Sequence, residues 1–552
     1  MEPVRILDGI LYADMLRSGA SNLNSHVKEI NDLNVFPIPD GDTGDNMLLT
    51  MIGGTDALKE PEADLSAAAR KAADGMLLSA RGNSGVILSQ IFNGIAKGFE
   101  GVSEADLFTM IKALKSGTKC AYSAVIEPVE GTILTVMREA ADHAGECGAR
   151  SIEELIDEFV KQARVTLDKT PDLLDVLKKA GVVDSGGAGL IYIAEGAKKA
   201  LSGEAENAQL SFFTPASQDL DLDLFTADSE LEFGYCTECL IRLQNSKVNP
   251  ASFDENVIID YLQTIGDSVV SVKTGSIVKI HVHTKTPGAV LDYCQKFGEF
   301  LKIKIENMSL QHNNTLHAEE DTFKKKKVIQ EHKPYGIVAV ANGEGIAQAF
   351  LERGVDKIVD GGQSMNPSAE DFLEAFKEVS ADTIFVFPNN SNIILTAKQA
   401  ASLYSKADIR VIESKTIGEG YSALLMYDTS SGDTQQILEG IDQSMEGVVT
   451  AEVSRSIRDS AGHAVEVHEG DYIGFVGDDI ISSDKDRLAA ACALADRLDM
   501  RSHDICLMFY GKEANGEECA QLEEHIKGLN PNMEIYSSSG MQEIYDYIII
   551  LE

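Results

Sequence analysis

Three aspartates stand close together in residues 34–46, which read Asn-Val-Phe-Pro-Ile-Pro-Asp-Gly-Asp-Thr-Gly-Asp-Asn. Pro37 and Pro39 oppose a helix here, so the sequence predicts a shaped loop. Asp40 and Asp42 can converge on one hard cation, because Mg²⁺ is typically held by one or two carboxylates together with substrate phosphates. The simpler interpretation is an acidic surface turn. Apolar residues on both sides of the loop favour the metal interpretation, since a solvated turn does not need them.

A second polar loop contains Asn83, Ser84 and Gly85 and opens a helix with apolar residues at helical spacing. The free N–H groups of the first helical turn and the positive end of the helix dipole both favour phosphate. The alternative is an ordinary helix cap by Asn83 or Ser84. From this loop alone, the cap is the favoured interpretation.

Two further polar loops each precede a helix, one ending at Thr132 and the other containing Asp184 within residues 181–189. With the two loops above, they make four such loops in the first 200 residues. Their repetition suggests that helix N-termini gather at one end of a helical bundle.

A possible zinc site follows in residues 234–315. Cys236 and Cys239 lie in one predicted strand, and His281 and His283 lie two residues apart in another. Period-two geometry puts the two histidines on one face of that strand. Two imidazoles and a cysteine suit zinc, whereas the alternative is two surface histidines and an isolated cysteine pair.

Composition limits the classes of partner. The chain has 552 residues and a formal net charge of −40, from 88 acidic and 48 basic residues. Phosphate would be repelled, which argues against nucleic acid or an anionic membrane as the main partner. Thinly spread cysteines, with no apolar run long enough to span a bilayer and no signal-peptide pattern, predict a cytoplasmic protein.

The order of motifs predicts a multidomain chain. An all-α domain occupies 1–202, and an acidic linker occupies 203–233. A small α/β domain occupies 234–315, and a linker follows at 316–332. A two-lobed α/β region occupies 333–552.

Within the first domain, residues 9–31 read as one helix. In the last region, strands alternate with helices over residues 336–412, and this rhythm predicts a largely parallel sheet there. A second lobe begins near Thr450.

The motifs of residues 34–46, 80–90, 128–132 and 181–189 resemble the nucleotide-binding domain of the dihydroxyacetone kinase type. The whole chain resembles the catalytic subunit of bacterial fatty acid kinase. The resemblance implies an antiparallel helical barrel that holds ATP through two Mg²⁺ ions. It implies Mg²⁺ ligands and catalytic groups at Asp40 and Asp42, and nucleotide contacts at Thr43, Asn46, Asn83, Ser84, Gly85, Thr132 and Asp184.

Two positions depart from the family pattern. Related kinases usually have threonine where this chain has Asp45, and the extra charge either binds metal or is solvated. Dihydroxyacetone kinases use a third aspartate upstream, where this chain has Asn34. The third protein ligand of the metal is therefore open.

The resemblance also implies zinc bound by Cys236, His281 and His283. His312 and Glu238 are candidates for a fourth ligand, and Cys239 ranks lower.

Residues 361–368 resemble a loop of the DegV-like fatty-acid-binding proteins, and a DegV-like fold is implied for the C-terminal domain. The implied activity is phosphorylation of a fatty acid carboxylate that a DegV-like partner presents, giving acyl phosphate and ADP. A homodimer is implied as well. Two alternatives stay open: a kinase of a small hydroxyl substrate, and a non-catalytic nucleotide-sensing scaffold.

Overall fold

The computed structural model describes most of the chain in two compact units, each considered by itself. The large unit combines Met1–Leu210 with His332–Glu552, and the small unit is Ser211–Glu331. No helix in the described part of the chain is long and apolar enough to cross a membrane. The described residues are 4–34, 41–125, 127–203, 235–244, 246–249, 253–254, 256–262, 264–274, 276–307, 332–362, 366–425, 427, 433–460 and 464–552.

The N-terminal part of the large unit, residues 4–203, is a bundle of helices and is called here the helical region. Its helices are α1 (Gly9–Asn24), α2 (Val27–Asn31), α3 (Thr43–Asp56), α4 (Leu65–Ser79), α5 (Gly82–Gly98), α6 (Leu107–Ala124), α7 (Ile133–Glu146), α8 (Ile152–Leu167), α9 (Thr170–Leu173), α10 (Asp175–Ala180) and α11 (Ser185–Leu201).

The first and last long helices of this region pack together, which closes the bundle. They approach closely because Gly19 of α1 faces Gly196 of α11, where an added Cβ would lie 2.7 Å from the Gly19 Cα. The prediction of one helix over residues 9–31 is wrong. The chain breaks at Ser25 and His26, between α1 and α2. The His26 ring stacks on Tyr192 of α11, with 3.9 Å between centroids.

The C-terminal part of the large unit, residues 332–552, has two lobes and is called here the C-terminal region. The first lobe is a parallel sheet in the order β6-β5-β7-β8. Its strands are β5 (Lys333–Ala341), β6 (Lys357–Asp360), β7 (Ala381–Phe387) and β8 (Asp408–Val411). The helices of the first lobe and of the connection to the second are α14 (Glu344–Glu352), α15 (Ala369–Glu378), α16 (Ser391–Leu403), α17 (Ile417–Leu425) and α18 (Thr434–Met445).

The parallel sheet predicted for residues 336–412 is present in the first lobe, whereas the sheet of the second lobe is mostly antiparallel. Its order is β11-β10-β9-β14-β12-β13, and of these neighbours β12 and β13 are the pair that runs parallel. The last strand lies inside the sheet and is buried along its whole length, which the alternating rhythm of the sequence did not reveal. The elements are β9 (Val449–Arg455), β10 (Tyr472–Val476), β11 (Asp479–Asp484), α19 (Arg487–Ala495), β12 (Ile505–Tyr510), α20 (Gly516–Leu529), β13 (Glu534–Ser539) and β14 (Tyr545–Leu551).

The small unit is an antiparallel sheet in the order β2-β3-β1-β4 with two helices. Strands β2 and β3 form a hairpin. The elements are β1 (Tyr235–Leu243), α12 (Asn256–Leu262), β2 (Gly266–Thr274), β3 (Ile277–Thr284), α13 (Pro287–Cys294) and β4 (Gly298–Asn307).

Candidate functional site

The N-termini of four helices, α3, α5, α7 and α11, adjoin one another, as the repeated loops suggest. The hydroxyl of Ser185, the first residue of α11, donates to Thr43 at the start of α3, with 3.3 Å between oxygens. An added Cβ at Gly82, the first residue of α5, would lie 2.6 Å from the Asn46 side chain of α3. Asp184 accepts a backbone hydrogen bond from Ile133, which begins α7. The positive ends of four helix dipoles therefore meet at one place.

Asp42 stands directly before α3 and faces these helix ends, whereas Asp40 lies outside the described residues. The Asp42 carboxylate is half-buried and accepts a hydrogen bond from the Asn366 amide at 2.5 Å. Beside it, the buried Thr43 hydroxyl donates to Asn34 at 3.0 Å. Asn34 thus holds the start of α3 in this structure.

Asp45, the residue that departs from the family pattern, is hydrogen-bonded to a neighbouring side chain. It is exposed, and its carboxylate accepts a 2.7 Å hydrogen bond from the Asn31 amide. The Asn31 oxygen accepts in turn from the N–H of Gly44, also at 2.7 Å. This arrangement agrees with a solvated carboxylate that stabilises the first turn of α3.

The start of α5 is not closed by a side-chain cap, so the ordinary-cap alternative fails. The N-cap residue is Arg81, and it makes no side-chain cap bond. The Asn83 amide instead donates to Asn392 of the C-terminal region at 3.0 Å. Within the described part of the molecule, the Asn83 Oδ1 is buried without a hydrogen-bond partner. Gly85 is needed for close packing, because an added Cβ would lie 2.6 Å from the Thr50 hydroxyl.

Thr132 and Asp184 are the N-cap residues of α7 and α11. The Thr132 hydroxyl accepts from Leu134 at 3.4 Å, and the Asp184 carboxylate accepts from Gly187 at 2.7 Å. Burial raises the pKa of Asp184 to about 6, although the N–H groups of Gly187 and Ile133 act to lower it. This carboxyl therefore keeps its proton to a higher pH than an ordinary aspartic acid does.

Polar residues of the C-terminal region reach this site, and sequence reasoning missed them. Arg81 donates to the Asn366 carbonyl at 2.8 Å and pairs in a β-bridge with Ser368. Further along α5, the Gln90 amide donates to Gln399 at 3.1 Å. Residues 361–368 drew attention in the sequence as a DegV-like loop, but a sequence has no signal for which distant loop such a segment will touch.

A cleft of about 360 Å³ lies between the two lobes of the C-terminal region, and it adjoins this site, because Asn392 on its wall accepts the hydrogen bond from Asn83. Residues at the carboxyl ends of β5, β7 and β8 border it, among them Asn342, Asn389 and Lys415. Ligands of open α/β sheets often bind at such strand ends. The cleft lies outside the set of residues that the sequence predicts for the nucleotide.

In the small unit, the backbone register brings the predicted zinc positions together. Cys236 pairs with His283 and Glu238 pairs with His281 across β1 and β3. The side chains of these four residues, and all of His312, lie outside the described set. Among the side chains that the structure does describe, no group of three or more His, Cys, Asp or Glu residues is placed to hold a metal ion. Cys239 is buried in the core with 3% exposure, in line with its low rank as a ligand.

Sequence comparison identifies the chain. Residues 37–199 match the DAK2 domain, 232–315 match the middle domain of the FakA-like fatty acid kinase proteins, and 336–552 match the FakA-like C-terminal domain. Protein YloV of Bacillus subtilis (strain 168) is 38% identical over 560 residues, covering 100% of both chains. The chain belongs to the FakA-like family of fatty acid kinase proteins. Its first and last domains are those of a kinase family.

A further sequence relative supports the same family assignment. The uncharacterized protein SERP0792 of Staphylococcus epidermidis is 36% identical over 554 residues and covers 99% of each chain. Among solved structures, DegV from Bacillus subtilis covers 40% of this chain with 13% identity and a TM-score of 0.31. Dihydroxyacetone kinase from C. freundii covers 34% with 16% identity and a TM-score of 0.28. Both scores are low, so the family assignment rests on the sequence matches.

Proposed function

We propose that this chain transfers the γ-phosphoryl group of ATP to the carboxylate of a fatty acid that a DegV-like partner presents, giving acyl phosphate and ADP. The observation that carries the proposal is the meeting of four helix N-termini around Asp42. Free N–H groups and dipoles directed at one place favour a polyphosphate. In a chain of net charge −40 they provide positive potential where lysine and arginine are scarce.

The residues at this site fit Mg²⁺. Carboxylate and amide oxygens are the ligands that this hard cation prefers. Asp42 supplies a carboxylate, and among the described residues the buried Oδ1 of Asn83 has no partner. A buried acceptor without a partner costs about 1–3 kcal/mol, so a cation or its bound water would relieve that cost. Asp42, together with Asp40 from the loop outside the described residues, would hold two Mg²⁺ ions, which neutralise phosphate charge.

The other predicted residues have positions consistent with binding nucleotide. Thr43 and Asn46 are buried beside Asp42, with exposures of 8% and 5%. The backbone from Asn83 to Gly85 would receive phosphate oxygens at the start of α5. Thr132 and Asp184, at the starts of α7 and α11, would border the rest of the nucleotide.

A carboxylate acceptor suits a site without a catalytic base. It is already ionised at pH 7, so no proton must be removed before it attacks the γ-phosphorus. The bond between that phosphorus and the β–γ bridging oxygen breaks, and ADP leaves. The chain must position the two reactants and offset their mutual repulsion.

The experiment is ADP release from ATP and Mg²⁺, with and without a DegV-like protein loaded with fatty acid. Release only with the loaded partner supports the proposal. Release with a small polyol or ketose instead would favour the hydroxyl-kinase alternative. Nucleotide binding without turnover, with every candidate acceptor present, would favour the nucleotide-sensing scaffold.

We also propose a zinc ion in the small unit, held by Cys236, His281 and His283, with Glu238 or His312 as the fourth ligand. The register of β1 and β3 supports this, because it places Cys236 opposite His283. Metal analysis should find about one zinc per chain, and Cys236→Ser should lose it. Cys239→Ser is the matched control. Equal zinc in both variants would contradict the assignment.

A homodimer through the small unit is the third part of the proposal. Strand β4 is an edge strand, and Leu301, Ile303 and Ile305 are 48%, 45% and 40% exposed. An exposed apolar edge favours pairing with another chain. Sedimentation should show a dimer that Ile303→Lys converts to monomer, while Val257→Lys on α12, another exposed apolar position, leaves it intact.

A further inference from the structure

Asn366 stands between the two groups that a metal-bound nucleotide would need. Its amide nitrogen lies 2.5 Å from the Asp42 carboxylate. The same nitrogen would lie 3.2 Å from a Cβ added at Gly82, at the start of α5. Asn366 is only 2% exposed, so the contact is sealed from solvent. The space between the metal-binding carboxylate and the phosphate-binding helix end is therefore occupied by this side chain.

The chemistry of the contact fixes which end of the amide faces Asp42. An ionised carboxylate only accepts hydrogen bonds, so the NH₂ group must point towards it. The N–H hydrogen carries partial positive charge and takes a place on the carboxylate that a cation would take. Mg²⁺ binds oxygen at about 2.0–2.1 Å, and it cannot share that place with an amide hydrogen.

Several contacts hold the Asn366 segment in this position. Arg81 donates to the Asn366 carbonyl, and the N–H of Ala369 donates to the Ala80 carbonyl at 3.3 Å. The Gln399 amide of α16 donates to the Leu77 carbonyl at 2.5 Å. These contacts are polar, and water can replace their hydrogen bonds when the surfaces separate. Polar interfaces between domains of one chain are the kind that open and close.

We propose that Asn366 is an autoinhibitory contact, in which its amide takes the place of the cation on Asp42 until Mg²⁺ and nucleotide displace it. This inference rests on the proposed function, since it assumes that Asp42 is a metal ligand. It gives residues 366–371 of the C-terminal region a role that family membership does not assign. A partner that carries a fatty acid also needs the site uncovered, so displacement would come before transfer.

The test measures binding of ADP with Mg²⁺ to the full chain by calorimetry, with Asn366→Ala and Gln399→Ala as the variants. Removal of a competing hydrogen bond to a charged group should tighten binding about tenfold in Asn366→Ala. Gln399→Ala weakens the same interface at a distance from Asp42 and should tighten binding by a smaller factor. Thermal unfolding of each variant checks that the fold is kept.

A second measurement follows the separation of the Asn366 segment from the helical region. In the wild type, Mg²⁺ with ADP should increase hydrogen exchange at residues 366–378, because the backbone contacts of this segment with Ala80 and Arg81 are released. Weaker binding in Asn366→Ala would show that Asn366 supports the metal rather than excluding it, and binding within twofold of wild type would show that it does neither. Either result overturns the inference. If Asp42→Asn also binds as wild type does, the proposed function itself fails.

Discussion

The site around Asp42 and the cleft of the C-terminal region are both built from polar residues near helix N-termini, yet they differ in how those residues are satisfied. In the cleft, the Asn389 amide donates to the Val340 carbonyl and its oxygen accepts from Ser414, both at 2.8 Å. At the Asp42 site, Asn83 and Asn366 each keep a buried oxygen without a partner among the described residues. Gln542 is an exception in the cleft, because its Oε1 is also unpartnered there.

The comparison shows that the size of a cavity and its chemistry are separate properties. The cleft has a volume of about 360 Å³, but Asn389, one of the four asparagines that line it, is already hydrogen-bonded to Val340 and Ser414. The Asp42 site combines a half-buried carboxylate, two amide oxygens without a partner among the described residues, and adjoining helix N-termini. These groups support the proposal that nucleotide binds at the Asp42 site rather than in the cleft.

The largest expected effect is that of Asp42→Asn. The amide keeps the shape of the side chain and removes the charge that would hold Mg²⁺. Partner-dependent ADP release should fall by at least about 10³-fold, the order that charge stabilisation of a transition state contributes. Asp45→Asn is the control, since Asp45 is exposed and bonded to Asn31. A comparable loss of ADP release in both variants would mean that the reaction depends on the negative charge of this segment and not on Asp42 in particular.

The second prediction concerns Gly82, which has a φ of +56°. Gly82→Ala places a Cβ 2.6 Å from the Asn46 side chain, whereas Gly101, at φ +74°, has nothing within 4 Å of an added Cβ. Both alanines pay the left-handed backbone cost of about 1–2 kcal/mol. Overpacking adds about 1 kcal/mol or more to Gly82→Ala alone.

Chemical unfolding of the two variants measures the difference. Gly82→Ala should be the less stable protein, and it should also bind ADP with Mg²⁺ more weakly than Gly101→Ala. Equal stabilities would show that Asn46 moves away without cost.

The third prediction is a pH dependence from Asp184. Its folded pKa of about 6 lies above the ordinary value of 3.8, so the folded state holds the proton more tightly and loses stability as pH rises through this range. Between pH 5 and pH 7 the loss should be about 1 kcal/mol, given about 1.4 kcal/mol per pKa unit. Asp184→Asn should remove this slope. The measurement is unfolding free energy against pH for both proteins, and identical slopes would contradict the prediction.

Local patterns in the sequence predicted a large part of this structure. Apolar residues at helical spacing predicted α5, and the alternation of strands with helices predicted the parallel sheet of the first lobe. The loop predicted from Pro37 and Pro39 lies outside the described residues. The break at Ser25 and His26 was missed because it coincides with the tertiary contact of His26 with Tyr192. Strand β14 was missed because a strand buried on both faces has no alternation.

The candidate site likewise combines residues that have a local sequence signal with a residue that has none. Thr43, Asn46, Gly85 and Asp184 come together because each stands at the start of a helix, and helix starts leave a sequence signal. Asn366 reaches Asp42 from 324 residues away. No local pattern encodes that contact, since it depends on how the C-terminal region docks on the helical region.

The smallest expected effect is that of Lys415→Ala, which removes a cation from the cleft. Lys415 is exposed and borders the cleft, and its backbone N–H bonds to Glu419 at 2.5 Å, so side-chain truncation should leave the fold unchanged. If the nucleotide binds only at the Asp42 site, affinity for ADP with Mg²⁺ should stay within about twofold of wild type, because solvent and salt screen the charge of an exposed side chain that does not touch the ligand. Calorimetry at two salt concentrations measures this. A loss of affinity of tenfold or more would indicate that the phosphate groups bind in the cleft and not at the Asp42 site.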